Sequence, residues 1–356
     1  MPVTVRTLSF ILCAALLIFS FPLSASAYSV LPNVSAVSAV LTDSASGRVL
    51  YEKNANVRMP MASTTKIMTA LVALEYGDPD ATVEVDPRAV GTEGSSVYLK
   101  AGERLALSDL IYCLMLASAN DAAAAIAYAL AGGIPEFAAL MNKKAAELGL
   151  FDTHFENPHG LDSKEHYTTA SDLSRLTAYA LKNKSFAETV SCNSAIVESD
   201  TQRHTLFNHN RLLRSYEGCI GVKTGYTKTS GRCLVSAAER DGLTLICVTL
   251  SAPDDWNDHK TLLDYGFSHY RAVSLCSVGQ SFYEMPVVSG EIGRVLCITK
   301  ENLYATLKGD EDITFTVECP RFLWAIPKPG KALGRVVFYK NGKIIGTTEL
   351  IAHITL

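Results

Sequence analysis

Ser63-Thr64-Thr65-Lys66 sets a hydroxyl and an amine three positions apart. On a helix that spacing puts both on one face, close enough to touch. A serine hydroxyl is a weak nucleophile until something takes its proton. A neighbouring lysine can do so only when burial or nearby positive charge keeps it neutral. Alone the motif is weak evidence, since S-x-x-K arises by chance about once in a chain of this size and is commonly a helix cap followed by a solvated lysine. A second element is Ser118-Ala119-Asn120, after an apolar run and before an Ala-rich one. Its bland reading is a helix N-cap supplied by Asn120 or Asp121, and the same triplet type recurs at Ser191-Cys192-Asn193. The third is Lys223-Thr224-Gly225, where Gly225 admits a closely approaching backbone or substrate and Lys223 offers a fixed positive charge. By itself it reads as a strand lysine facing solvent. The order of the three motifs along the chain carries more weight than any one of them, and the chemistry they suit is acyl transfer through an activated serine.

The segments expected to position these motifs alternate in character. Residues 36–41 and 48–53 are β-like and flank the turn-rich Asp43-Ser44-Ala45-Ser46-Gly47, which suggests a hairpin. Residues 63–76 have helical spacing, with Ile67, Leu71 and Leu74 on one stripe and Gly77 just past the end. Helices are expected over 105–116, 122–131, 135–148 and 171–181, the last with a Ser171 cap. Strands return at 221–224, 232–238 and 243–250, the last two joined by Asp241-Gly242. This predicts a helical cluster inserted between parts of one largely antiparallel sheet. From about residue 273 short β-rich segments follow at 294–299, 303–307, 313–318 and 336–348, the last folded at Asn341-Gly342, so a smaller all-β domain is expected. The expected divisions are 1–27, 28–270 and 271–356.

The 356 residues suit two domains, and 48% apolar with 19% charged residues excludes a disordered, coiled-coil or collagen-like chain. Lys+Arg 32 against Asp+Glu 36, without a basic block, gives no reason to expect a nucleic-acid partner. Residues 1–27 read as a secretory signal: Arg6 precedes an apolar run, and Ala25-Ser26-Ala27 offers small residues for cleavage. The run is shorter than the roughly 20 residues that span a bilayer, so an exported, extracytoplasmic protein is expected. Eight cysteines lie beyond that signal without a C-x-x-C pair, and buried free thiols are expected, Cys113 and Cys247 among them.

Longer strings around the motifs resemble one family: Met61-Ala62-Ser63-Thr64-Thr65-Lys66-Ile67-Met68-Thr69-Ala70, Met115-Leu116-Ala117-Ser118-Ala119-Asn120-Asp121-Ala122, Asn157-Pro158-His159-Gly160-Leu161 and Gly221-Val222-Lys223-Thr224-Gly225-Tyr226-Thr227. They are similar to the serine-type D-alanyl-D-alanine carboxypeptidases, the low-molecular-weight penicillin-binding proteins of peptidase family S11, and the three motifs are the signature of penicillin-binding proteins and serine β-lactamases. The likeness runs over about 30–267 and more loosely through the β domain. It implies an α/β (α+β) domain of the serine β-lactamase and transpeptidase kind, an antiparallel sheet with a helical cluster, followed by the smaller all-β domain. It also implies removal of the terminal D-Ala from peptidoglycan stem pentapeptides through an acyl-enzyme, with β-lactams as covalent inhibitors and no cofactor or metal. On that resemblance Ser63 is the nucleophile, Lys66 the general base and Ser118 the proton relay to the leaving amine. Asn120 binds the peptide and holds Lys66. Lys223 and Thr224 receive the terminal carboxylate, Gly225 lets it approach, and the amides of Ser63 and Tyr226 form the oxyanion site. Association with the cell wall or peripherally with the membrane is a further expectation, although 351–356 read as strand where relatives often carry an amphipathic helix.

Three rival functions have discriminating features. A class A β-lactamase uses S-D-N and a deacylating glutamate, whereas the triplet here is Ser118-Ala119-Asn120 and no glutamate between Asn120 and Lys223 has an asparagine four residues on. A D,D-endopeptidase of the same superfamily would be separated by its digestion products. A catalytically silent wall-binding scaffold is disfavoured by the intact motifs. His159 reads as a turn residue beside Pro158 and Gly160. The histidine spacings suit no metal site, Asp172 is expected in the first turn of its helix, and Trp256 and Trp324 are expected to be packing residues.

Overall fold

The computed structural model describes residues 31–309 and 311–354, and the export signal expected at 1–27 lies outside them. Asn33 to Leu356 form one compact unit. Its chain order begins with strands β1 (Ser38–Asp43) and β2 (Val49–Lys53) and helix α1 (Lys66–Tyr76). Next come β3 (Thr82–Glu84), β4 (Arg104–Ala106), α2 (Leu107–Leu116), α3 (Asn120–Ala131), α4 (Ile134–Glu147), α5 (Ala170–Ala180) and α6 (Lys184–Ser191). The hairpin β5 (Ser194–Glu198) and β6 (Arg203–Phe207), the short α7 (Leu212–Ser215), β7 (Cys219–Thr227), β8 (Gly231–Arg240), β9 (Leu243–Leu250) and α8 (Asp255–His269) complete the first part.

The central sheet is antiparallel in the order β2-β1-β9-β8-β7. Its middle strands are apolar on both faces, as in Cys233-Leu234-Val235 and Leu245-Ile246-Cys247-Val248, all fully buried. Elements therefore cover both sides of the sheet. Helix α5 packs on β9 and β1, with Thr42 Oγ1 2.7 Å from Ser174 Oγ. Helix α8 packs on β8 and β9, and its Gly266 lets the helix approach because a Cβ there would collide with Leu245. The helices between β2 and β7 form the largest apolar cluster, including Met68, Leu71, Leu114, Phe137 and Phe186. The sheet with its inserted helical cluster is as expected from the sequence. Strand β7 ends the sheet, so one of its edges stays available to a ligand.

The remaining strands are β10 (Tyr270–Cys276), β11 (Ser281–Pro286), β12 (Arg294–Thr299), β13 (Leu303–Lys308), β14 (Ile313–Glu318), β15 (Ala332–Lys340) and β16 (Lys343–His353). Five make a sheet in the order β11-β12-β16-β15-β14, and β10 pairs with β13. The turn at Asn341-Gly342 has positive φ at both residues, as a two-residue hairpin requires. This β-rich part meets the first through the Arg48–Glu311 ion pair at 2.9 Å and the bond from Thr306 Oγ1 to Asp43 Oδ2 at 2.6 Å.

Several expectations change in detail. The helix expected over 63–76 is a 3-10 turn, Ala62–Thr65, followed by α1. Ser171 does not cap α5; Thr169 does, accepting the Asp172 amide at 3.0 Å. Asp172 sits in that first turn, as expected. Helix α8 carried no signal because three of its first four residues are Asp or Asn and its apolar stripe is short. Trp324 is 73% exposed, not packed in a core, and stacks edge-on against Phe322. Cys113 and Cys247 are fully buried, and burial pushes both thiols up.

Fully buried His259 ties α8 to the sheet, with Nδ1 2.5 Å from Ser236 Oγ and Nε2 2.9 Å from Thr249 Oγ1. Burial lowers its pKa from 6.5 to about 3. The unfolded chain therefore takes up a proton that the folded chain refuses between these two values. Stability is fully present above about 6.5 and falls as pH drops toward 3, by up to about 1.4 kcal/mol per pH unit for this group. Calorimetric melting from pH 7 to 4 should show this slope, and a His259→Gln variant should have a shallower one.

Candidate active site

The 3-10 turn that carries Ser63 is held from below by its own threonines. Thr64 Oγ1 donates to the Met61 carbonyl at 2.6 Å, and Thr65 Oγ1 donates to the Ala62 carbonyl at 2.8 Å. Having spent its proton, Thr65 must accept from His166 Nε2, 2.8 Å away. His166 Nδ1 in turn accepts the Glu156 amide at 3.0 Å. The ring is thus neutral with its proton on Nε2, and burial lowers its pKa to about 4. Ala62 has a left-handed φ of 47°, and Gly160, with φ 90°, lies against its carbonyl where a Cβ would collide.

Lys66, the first residue of α1, is fully buried. Its Nζ lies 2.6 Å from Asn120 Oδ1, 2.6 Å from the His159 carbonyl and 3.0 Å from Ser63 Oγ. Burial, and then the charge of Lys223, hold the amine well below its ordinary range against the opposing pull of Asp121. A neutral amine has two protons and one lone pair. The first two partners can only accept, which leaves the lone pair facing the serine hydroxyl.

The orientation of Asn120 is forced as well. Its Nδ2 donates to the Glu93 carbonyl at 2.5 Å, so Oδ1 must be the atom that faces Lys66. Its amide donates to the Ser95 carbonyl at 2.7 Å. The segment 93–99 that supplies these carbonyls is clasped by Asp121, 1% exposed, which accepts from Ser96 Oγ at 2.6 Å, Leu99 N at 3.0 Å and Val97 N at 3.3 Å. Neither Asn120 nor Asp121 caps α3, whose N-cap position is Ala119. Ser118 sits in the linker before it with a left-handed φ of 58°, and its hydroxyl meets Lys223.

Lys223 on β7 is 2% exposed, with Nζ 3.0 Å from Ser118 Oγ and 3.0 Å from the Thr224 carbonyl. Burial lowers its pKa from 10.5 to about 7. A Cβ on Gly225 would stand 3.0 Å from the Ser63 amide and 3.1 Å from Ala62 Cβ, so glycine is what lets β7 run this close to the serine. Ser63, Ser118, Thr224, Gly225 and Tyr226 line one cleft of about 560 Å³. The Tyr226 side chain is 66% exposed. All eight residues singled out in the sequence converge here, five on the cleft wall and Lys66, Asn120 and Lys223 immediately behind it.

Two contributions had no individual signal. His159 lies in a bend before Gly160, in keeping with the turn expected there, and in addition it is buried and its carbonyl binds the lysine amine. Asn157-Pro158-His159-Gly160-Leu161 is one of the strings that carry the resemblance, but a backbone carbonyl's role is not written in its side chain. The clasp of Asp121 around 93–99 depends on loop geometry that no periodicity reveals.

A serine hydroxyl facing the lone pair of a buried amine, beside a second buried lysine at a sheet edge, defines a serine hydrolase that works through acyl transfer. The chain belongs to the D-alanyl-D-alanine carboxypeptidase family, whose profile matches residues 25–254, and residues 270–355 match the penicillin-binding protein 5 C-terminal domain. It is 33% identical over 329 residues to the D-alanyl-D-alanine carboxypeptidase DacF of Bacillus subtilis, covering 89% of this chain and 85% of that one. With DacC of Escherichia coli the identity is 34%, covering 90% and 84%. The structure of penicillin binding protein 5 from Haemophilus influenzae superposes with a TM-score of 0.76 at 27% identity, covering 91% of this chain and 98% of that one.

Asp121→Asn keeps the shape of the side chain but turns a donor NH2 toward two groups that themselves donate. It should cost about 1–3 kcal/mol of stability and, by releasing 93–99, lower the acylation rate more than the substitution of an equally buried residue remote from the cleft. Denaturant unfolding and stopped-flow acylation by a chromogenic β-lactam measure the two effects.

Proposed function

We propose that Ser63 attacks the carbonyl of the penultimate D-Ala in peptidoglycan stem peptides ending in D-Ala-D-Ala, with Lys66 taking the hydroxyl proton. The observation that carries this reading is the arrangement around Lys66 Nζ, where two acceptor oxygens at 2.6 Å occupy the amine's protons and Ser63 Oγ at 3.0 Å meets its lone pair. The tetrahedral oxyanion then forms between the backbone amides of Ser63 and Tyr226, on the side where β7 runs along the serine turn. Ser118, hydrogen-bonded to Lys223, passes a proton to the departing D-Ala amine. Water hydrolyses the resulting acyl-enzyme, and β-lactams acylate Ser63 in the same way.

Lys223 and Thr224 receive the terminal carboxylate, while Asn120 holds the peptide as well as Lys66. We further propose a division at 270/271 between the catalytic part and the β-rich part, supported by the separate spans of the two family matches. Residues 1–27 act as an export signal on this reading, supported by their composition. The enzyme then works outside the cytoplasmic membrane, at the wall or peripherally at the membrane, where its substrate is.

Labelled penicillin should attach to the wild type and not to Ser63→Ala, and mass spectrometry of a stem pentapeptide should show loss of one D-Ala. Undiminished labelling of the variant would reject the assignment of the nucleophile.

The two lysines also predict a pH profile. Lys66 acts only when neutral, so the acid limb of kcat/KM lies well below the ordinary lysine range. Lys223 attracts a carboxylate only when protonated, and in the free enzyme its proton is lost above about pH 7. For substrates with a free terminal carboxylate, kcat/KM should therefore fall by up to about tenfold per pH unit above 7. Analogues with an amidated terminus should lack this limb. Identical profiles for acid and amide would remove the proposed role of Lys223.

A further inference from the structure

The cleft that holds Ser63 continues well past the residues assigned to the reaction. Its far wall is built by the end of β6 and the segment after it, by the first residues of β8 and by the start of α8, and includes Phe207, His209, Arg211, Arg214, Arg232 and Trp256. The segment is anchored by two buried asparagines. Asn208 donates to the carbonyls of Val190 at 3.2 Å and Cys192 at 3.0 Å, and accepts the Asn210 amide at 2.9 Å. Asn210 Oδ1 accepts the Leu212 amide at 3.1 Å. With 208 and 210 turned inward, the alternate residues 207, 209 and 211 are exposed and line the cleft.

The charge of this wall is unbalanced. Asp255 is the only carboxylate among the residues lining the cleft, and Arg232 already engages it, with Nε at 3.0 Å and Nη2 at 2.8 Å from the same oxygen. Arg211 and Arg214 make no ion pair among the described residues. Trp256 lies between the two sides: the guanidinium of Arg211 stands 5.9 Å and that of Arg232 5.7 Å from its ring. Such a platform restrains a long, flexible side chain. The chain as a whole carries a net charge of −4, so a cleft with two uncompensated arginines runs against its average.

We propose that Arg211, backed by Trp256, and Arg214 form a second carboxylate subsite that reads an acidic group of the stem peptide upstream of the two D-Ala residues. The inference rests on the reading given under Proposed function, which leaves the terminal carboxylate with Lys223 and Thr224. Two groups of a stem peptide have the right chemistry: the α-carboxyl of a γ-linked glutamyl residue at the second position and the side-chain carboxyl of a diamino diacid at the third. A guanidinium pair suits either, because it offers several donors in a planar fork.

The test uses the purified full chain and pentapeptides in which each of these carboxyls is free or amidated, one at a time. The wild type should favour the free acid over the amide by about five- to tenfold in kcat/KM at one of the two positions, and the position identifies the group that is read. In Arg211→Gln/Arg214→Gln that preference should drop below about twofold, and raising the salt concentration should shrink it in the wild type. Absence of any preference in the wild type, or its persistence in the double variant, overturns the subsite. Penicillin labelling of Ser63 is measured in parallel. A wild type that labels and releases D-Ala while ignoring both carboxyls loses only the subsite, whereas one that neither labels nor releases D-Ala loses the underlying reading and the subsite with it.

Discussion

The site depends on one buried amine. Taking a lysine charge out of water is expensive, and the ordinary resolution is to shed the proton. Lys66 is fully enclosed, and its three near neighbours are two acceptor oxygens and one hydroxyl. Once the amine is neutral, each of its positions has a partner and Ser63 has a proton acceptor. Nearly every other local feature fixes one of those partners. Gly160 allows the Pro158-His159 segment to press against the serine turn, Glu93 and Ser95 hold Asn120, and Asp121 holds the segment that contains them.

Distant parts of the chain have to meet for this to happen. The serine turn lies near the N-terminal strands, Ser118 and Asn120 lie in the inserted helices, and Lys223 lies on the returning strand. The antiparallel sheet brings them together, because β1 pairs with β9 and β9 with β8, so that β7 arrives at the edge beside the turn after β2. An edge strand is normally a liability for aggregation. Here one stretch of it is covered by the Ser63 turn, and Gly225 permits the approach.

The parts legible in the sequence were those written in side-chain type or period. The alternation of β and helical character gave the sheet with its inserted cluster, and Asn341-Gly342 marked its hairpin. The three motifs named seven of the eight residues that converge on the cleft, and the longer string around Lys223-Thr224-Gly225 added Tyr226. What stayed hidden was written in the backbone. The His159 carbonyl binds Lys66 whatever its side chain, the carbonyls of Glu93 and Ser95 act through a loop without periodicity, and Thr169 rather than Ser171 caps its helix because the helix begins one residue earlier. Trp324 departs from its expected packing role for a related reason: residue type predicts average burial, and it stands where local geometry overrides the average.

Having two lysines in one site raises the question of whether the proposed base survives substrate binding. A carboxylate docked on Lys223 would neutralise the charge that helps to depress Lys66. That charge is the lesser of the two causes, since burial is the greater and is intrinsic to the fold. A peptide lying in the cleft also displaces water from the Ser63 side, which adds to the burial of the amine. The two effects oppose one another, so Lys66 stays uncharged while Lys223 gains a partner that stabilises its own protonated form. In the proposed reaction the two groups thus divide their work, with Lys66 kept neutral by enclosure and Lys223 made cationic by the substrate it recognises.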